Sequence, residues 1–125
     1  MAQPVLTIDG LQVNDFASFI QEFNRIYAPF DVLWKGSLDA FNDFLVYPNE
    51  KYILVWKDSD RSREKLGYGE VVKWLEERIQ HCHPSNVPHM RERLEAAKLG
   101  KGQTMFDLLE EIIQDNSDYV QLRLE

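Results

Sequence analysis

The chain has 125 residues and a net charge of −7, with 44% hydrophobic and 28% charged residues. This length suits one domain with its own core. The negative charge argues against nucleic acid as a direct partner, because phosphate binding needs surplus lysine and arginine. No stretch reaches the roughly 18 apolar residues of a membrane span. The first residues lack the pattern of a signal peptide and there is a single cysteine, Cys82, so a cytoplasmic protein is expected.

The first third of the chain follows the pattern strand, helix, loop. Residues 5–8 are a short β-branched run. Asn14 precedes five apolar residues at helical spacing, which predicts an amphipathic helix over residues 15–27. Pro29 ends this helix, and the following loop, residues 28–36, is rich in apolar side chains. Such a loop either packs onto the helix or contacts a partner.

A second, short helix is predicted to begin after Gly36, with Ser37 as its N-cap. Its apolar face consists of residues at i, i+3 and i+7, namely Leu38, Phe41 and Leu45. Its other face holds three polar side chains with no lysine or arginine in the helix to pair with them, namely Asp39, Asn42 and Asp43. This acidic face either contacts only solvent or binds a basic partner.

The rest of the chain supplies two more strands and several helices. An almost continuous apolar run predicts a strand at 52–56 that is buried on both faces. Helices are predicted next over 59–66, capped by Ser59 or Asp60, and over 70–80. After breaks at Pro84 and Pro88, further helices are predicted over 91–99 and from Gln103 or Thr104 onward. The last predicted element is a strand over 119–124. Because helices separate the strands, we predict an α/β fold with a three-stranded parallel sheet, its last strand at an edge.

Charge is distributed unevenly along the chain. Residues 57–101 hold ten Lys/Arg against eight Asp/Glu, whereas the remaining residues hold four against thirteen. The middle of the chain is therefore expected to form a different surface, and we interpret it as an insertion.

The run Leu38-Asp39-Ala40-Phe41-Asn42-Asp43 resembles the signature of the barstar family, small bacterial inhibitors of secreted ribonucleases. The resemblance skips the middle of the chain and continues, in the same order as in that family, in Ile8-Asp9-Gly10, Tyr47-Pro48, Tyr52–Trp56, Met105–Ile113 and Tyr119–Leu124. It implies a single barstar-like domain over residues 1–125, with residues 67–102 as a helical insertion before the last helix and strand.

The resemblance also implies a function. An inhibitor of this kind blocks the basic active site of a ribonuclease or nuclease toxin with an acidic helix, in a one-to-one complex, and needs no catalysis, cofactor or metal of its own. Asp43 matches the family's strongest active-site aspartate, Asp39 its companion one turn earlier, and Glu111 an acidic contact on the last helix. The other expected partner-binding residues are Leu33, Trp34, Gly36 and Asn42.

Three departures from the family pattern favour a different nuclease, such as a toxin domain. Lys35 stands where the family has glycine, Leu33 matches an aromatic residue, and Asn42 matches a tryptophan. Two other functions stay open: a regulatory or scaffold protein whose insertion recruits something else, and a small metal-binding protein that uses His81, Cys82, His83 and His89.

Overall fold

The computed structural model describes residues 3–125 and shows a mixed α/β fold. In this range the chain forms three strands and six α-helices, in the order β1 (Val5–Asp9), α1 (Phe16–Tyr27), α2 (Leu38–Phe44), β2 (Tyr52–Lys57), α3 (Ser59–Lys65), α4 (Tyr68–His81), α5 (Val87–Lys98), α6 (Met105–Asp115) and β3 (Val120–Leu124). Short 3-10 turns lie at Gly10–Gln12, Ala28–Phe30 and Pro84–Asn86.

The three strands form one sheet in the order β1-β2-β3, and both pairs are parallel. Ile8 is opposite Trp56, which in turn is opposite Leu124. Helices lie in both connections between strands, as parallel pairing requires. The predicted three-stranded parallel sheet is therefore confirmed, with β3 at one edge and β2 at the centre.

The core lies between the sheet and the helices, and aromatic side chains dominate it. Trp56 of the central strand is fully buried. Its ring stacks on Phe19 of α1, with 5.1 Å between centroids, and lies 4.8 Å from Phe106 of α6. Val55, whose side chain points to the opposite face of the sheet, is also buried. The apolar run of β2 thus follows from burial on both faces, as expected.

Several helix boundaries differ from the predicted ones. The helix α1 covers Phe16–Tyr27 with Asp15 as its N-cap, so it begins one residue after the predicted start. The N-cap of α3 is Asp58, at a left-handed φ of 52°, and not Ser59 or Asp60. The helix α5 begins at Val87. Pro88 does not break the chain there, because proline is tolerated in the first turn, where its missing N–H would have no intrahelical partner.

Residues 67–102 form a hairpin of two helices, α4 and α5, that belongs to the same core. Val71, Leu75, Leu94 and Ala97 are buried in the hydrophobic cluster that also contains Trp56. The segment is helical, as predicted, but its side chains complete the core. Within residues 3–125, no helix is long and apolar enough to cross a membrane.

Candidate protein-binding site

The helix α2 presents its acidic face to solvent. Ser37 is the N-cap, and its Oγ accepts a hydrogen bond from the N–H of Ala40, with 3.4 Å between the atoms. The apolar face, Leu38, Phe41 and Leu45, is buried, whereas Asp39, Asn42 and Asp43 are exposed. The helix, its cap and the orientation of its two faces are therefore as predicted.

The loop before α2 is extended, and its side chains alternate between core and solvent. Val32, Trp34 and Gly36 are buried, whereas Leu33 and Lys35 are exposed. This arrangement corrects the expected role of Trp34, which is 1% exposed and cannot contact a partner. Gly36 is likewise buried and has no side chain, so it shapes the loop and offers a partner little surface. Leu33, at 67% exposure, is the apolar side chain of this loop that a partner can reach.

Trp34 instead attaches the loop to the acidic helix. Its ring stacks on Phe41, with 4.6 Å between centroids, and lies edge-on to Phe23 of α1 at 5.3 Å. Its indole N–H donates to the carbonyl oxygen of Ser37, at 2.7 Å. The N-cap residue of α2 is thus fixed by a side chain buried in the core.

A second attachment comes from Asn24 of α1, which sequence reasoning missed. Its side-chain amide donates to the carbonyl of Trp34, and its carbonyl oxygen accepts from the N–H of Trp34, both at 2.8 Å. Gly36 has a φ of 103°, which favours glycine, and a Cβ there would lie 2.9 Å from Ile20 Cδ1. The loop conformation is therefore set by α1.

The structure also brings α2 next to the end of α6. The side-chain amide of Asn116, at the C-cap of α6, donates to Asn42 Oδ1 at 2.7 Å and to the carbonyl of Ile112 at 2.9 Å. Glu111 is exposed on α6 and accepts a hydrogen bond from the side chain of Gln103. Asn42 is therefore both exposed and a link between the two helices.

The carboxylates of α2 form no ion pair with the cations of residues 3–125. Across the part of the chain that the structure describes, neither Asp39 nor Asp43 takes part in an ion pair within 4.0 Å. The ion pairs lie elsewhere: Arg25–Glu22, Arg63–Asp107, Lys73–Glu70 and Lys98–Glu95. Two negative charges on one exposed helix face thus stay available to cations of a partner.

His81, Cys82, His83 and His89 lie at the end of α4, in the connection to α5 and in the first turn of α5. No group of three His, Cys, Asp or Glu side chains in residues 3–125 is arranged to hold a metal ion. His83 Nδ1 instead lies 2.7 Å from Ser85 Oγ and accepts from the N–H of Ser85 at 3.1 Å. The Cys82 thiol points to the carbonyl of Ile79 at 3.7 Å. The metal-binding alternative therefore has no geometric support.

Comparison of the chain with models of protein families, with curated proteins and with solved structures gave no match. The resemblance to the barstar family therefore stays a prediction that rests on the residues quoted above.

Proposed function

We propose that this protein has a barstar-like fold and inhibits a ribonuclease or nuclease toxin in a one-to-one complex. The observation that carries the proposal is a short helix held by the core with Asp39 and Asp43 in solvent and without an internal ion pair. The exposed Leu33 precedes the same helix on a fixed loop.

The chemistry of the partner explains the acidic helix. A ribonuclease must bind a phosphodiester and stabilise the negative charge of its transition state, so its active site is rich in cations. Carboxylates on an inhibitor occupy the positions of phosphate oxygens in such a cleft. They also speed association with the basic partner and disfavour partners without positive charge.

The rigidity of the site favours tight binding. A surface whose conformation is already set before binding loses less conformational entropy when the complex forms. On the core side, Trp34 fixes the conformation of α2 by stacking on Phe41 and by its hydrogen bond to the carbonyl of Ser37. At the end of α6, the side chain of Asn116 fixes Asn42 by a hydrogen bond. The binding face of α2 is therefore available without rearrangement.

The test is inhibition of a panel of small bacterial ribonucleases and nuclease toxin domains, assayed with a fluorogenic RNA substrate. We expect stoichiometric inhibition of at least one enzyme. Asp43→Asn should weaken the complex about ten- to a hundredfold, because a charge-assisted hydrogen bond is lost. Glu92→Gln removes an exposed charge on α5 and is the matched control. Equal affinities of Asp43→Asn and the wild type would refute the site, and no inhibition of any enzyme would favour the scaffold function.

A further inference from the structure

The strand β3 has one edge without a neighbouring strand, because it pairs only with β2. The N–H of Tyr52 in β2 donates to the carbonyl of Tyr119 at 3.0 Å, just before β3 begins. Along a strand, the backbone groups of successive residues point to opposite sides within the plane of the sheet. The residues of β3 whose N–H and carbonyl groups point away from β2 are therefore Val120, Leu122 and Leu124.

The outward-pointing backbone groups in the second half of β3 are open to another chain. The N–H of Val120 is already used, since it donates to the carbonyl of Asn116 at 2.9 Å. Among the described residues, no hydrogen bond from outside the sheet reaches the backbone of Leu122 or Leu124. The side chain of Leu124 is 38% exposed, and that of Arg123 is also exposed. This edge can therefore accept a further strand.

The opposite edge of the sheet is less accessible. It is formed by β1, and the N–H of Asp9 at the end of that strand donates to Glu22 Oε2 at 2.7 Å. The Glu22 side chain is buried and also pairs with Arg25 at 2.7 Å. A strand added along β1 would have to displace this carboxylate, so strand addition is expected at β3.

The sequence of β3 is complementary to itself in an antiparallel pair. With a two-fold axis at Leu122, the whole strand pairs, with Val120 opposite Leu124 of the second copy and Gln121 opposite Arg123. In this register the outward-pointing groups face one another. The two Leu122 residues exchange two hydrogen bonds, and the N–H of each Leu124 donates to the carbonyl of Val120 in the other copy.

Side-chain chemistry agrees with the same register. Leu124 lies opposite Trp56 of β2, so Val120, Leu122 and Leu124 share the face of the sheet that carries the core. Their side chains would meet those of the second copy on that face. An axis at Arg123 would instead place two arginines directly opposite each other, and like charges in that position are destabilising. The axis at Leu122 places each arginine opposite a neutral glutamine.

We propose that β3 pairs with β3 of a second copy, in antiparallel orientation about a two-fold axis at Leu122, so that two three-stranded sheets become one. The pairing uses no residue of α2 and does not depend on the proposed inhibition. One strand pair buries less than the roughly 1,200 Å² of a stable complex, so we expect a dissociation constant of about 0.1–1 mM. Each chain carries a charge of −7, so association should strengthen when salt screens the repulsion.

The test is self-association of the full chain without any nuclease. Sedimentation equilibrium measures the dissociation constant over about 0.02–2 mM protein, a range that brackets the expected value. NMR of the ¹⁵N-labelled chain over the same range locates the contact. We expect concentration-dependent shifts of the amides of Leu122 and Leu124. Their N–H groups should also exchange with solvent more slowly at high protein concentration, because they become hydrogen-bonded.

Two substitutions of the exposed Gln121 test the register. Gln121→Glu places a carboxylate opposite Arg123 of the second copy and should tighten the dimer, whereas Gln121→Lys places a like charge there and should weaken it. Each change occurs twice per dimer, so the dissociation constant should change by about two- to tenfold. Net charge alone predicts the opposite order, because lysine makes an acidic chain less negative. The double variant Gln121→Lys/Arg123→Glu should restore the dimer.

The matched controls are Gln80→Glu and Gln80→Lys, at an exposed position of α4. They change the net charge equally and should affect the dimer only in the order that net charge predicts. The proposal is overturned if the chain stays monomeric over the whole range, or if the concentration-dependent shifts lie away from β3. It is also overturned if the Gln121 variants follow the same order as the Gln80 variants.

Discussion

The side chain of Asn24 in α1 hydrogen-bonds both backbone groups of Trp34, with 2.8 Å between the atoms of each pair. Trp34 lies in an extended loop without a neighbouring strand, so its N–H and carbonyl cannot form the hydrogen bonds of a β-sheet. Buried backbone groups need partners, and one amide side chain supplies both. Asn24 therefore fixes the position of the loop relative to α1, together with the packing of the Trp34 ring on Phe23.

Asn24→Ala should lower the free energy of unfolding by about 1–3 kcal/mol, because the N–H and carbonyl of Trp34 lose their partners. Urea unfolding followed by tryptophan fluorescence measures the change. Gln21→Ala, at an exposed position one turn earlier in α1, is the control and should change stability by less than about 0.5 kcal/mol. Equal stability of both variants would mean that water replaces the amide at no cost.

Gly36→Ala tests whether the loop geometry matters for binding beyond its effect on stability. Gly36 has a φ of 103° and Gly102 a φ of 84°, and nothing lies within 4 Å of a Cβ built on Gly102. Each substitution to alanine should cost about 1–2 kcal/mol of stability through backbone strain. Only Gly36→Ala should also weaken nuclease inhibition, since it displaces Ile20 and the start of α2. Equal inhibition by the two variants would show that the loop geometry does not affect nuclease binding.

Hydrophobic patterning, with the order of strands and helices, predicted the three-stranded parallel sheet. Buried side chains repeat about every 3.6 residues in a helix and every two in a strand with one buried face. The helical spacing in α2 and the continuous apolar run of β2, which is buried on both faces, could therefore be recognised in the local sequence. The same period of two was present in the loop, where Val32, Trp34 and Gly36 alternate with exposed residues. The sequence does not show this alternation, because the exposed Leu33 is as apolar as its buried neighbours Val32 and Trp34.

Contacts between distant segments could not be predicted in this way. The carboxylate of Glu70 binds the N–H of Phe16 across 54 residues of sequence, and Asn116 reaches Asn42 across 74. Neither pair follows a periodic pattern, because each depends on how whole helices dock. The surface groove between α1 and α4, lined by Phe16, Ile20 and Trp74, could not be predicted for the same reason.

A buried pair of tyrosines should make stability fall at high pH. Tyr52 donates its hydroxyl proton to the carbonyl of Leu45 at 2.6 Å, and the Tyr27 hydroxyl lies 2.5 Å from that of Tyr52. Burial raises the pKa of Tyr52 to about 12 and also raises that of Tyr27. The folded chain thus keeps protons that the unfolded chain releases above about pH 10. The contribution of these two tyrosines to stability should therefore be constant below that pH and fall above it.

For each tyrosine the slope should be about half of 1.4 kcal/mol per pH unit near pH 10 and approach about 1.4 kcal/mol per pH unit near pH 11. Urea unfolding between about pH 9 and about pH 11 measures it around the ordinary tyrosine pKa. Tyr52→Phe should lessen the slope and also cost stability at neutral pH, since the carbonyl of Leu45 loses its donor. The same slope in a Tyr27→Phe/Tyr52→Phe double variant would assign the pH dependence to other groups.

The two kinds of contact at the proposed interface should affect different rate constants. Leu33→Ala removes a side chain that is 67% exposed, so stability should change by less than about 0.5 kcal/mol. Dissociation of the nuclease complex should become about tenfold faster, because an apolar anchor contributes after contact is made. Surface plasmon resonance separates the two rate constants, and an unchanged dissociation rate would exclude Leu33 from the interface.

Asp39→Asn should act mainly on association, because exposed charges attract a basic partner before contact. The effect should depend on salt, since raising the ionic strength from about 0.1 M to about 1 M shortens the screening length from about 10 Å to about 3 Å. At low salt the variant should associate more slowly than the wild type, and at high salt the two should converge. If Asp39→Asn and Leu33→Ala changed the same rate constant with the same salt dependence, Asp39 would be a contact residue only, and the acidic face of α2 would have no steering role.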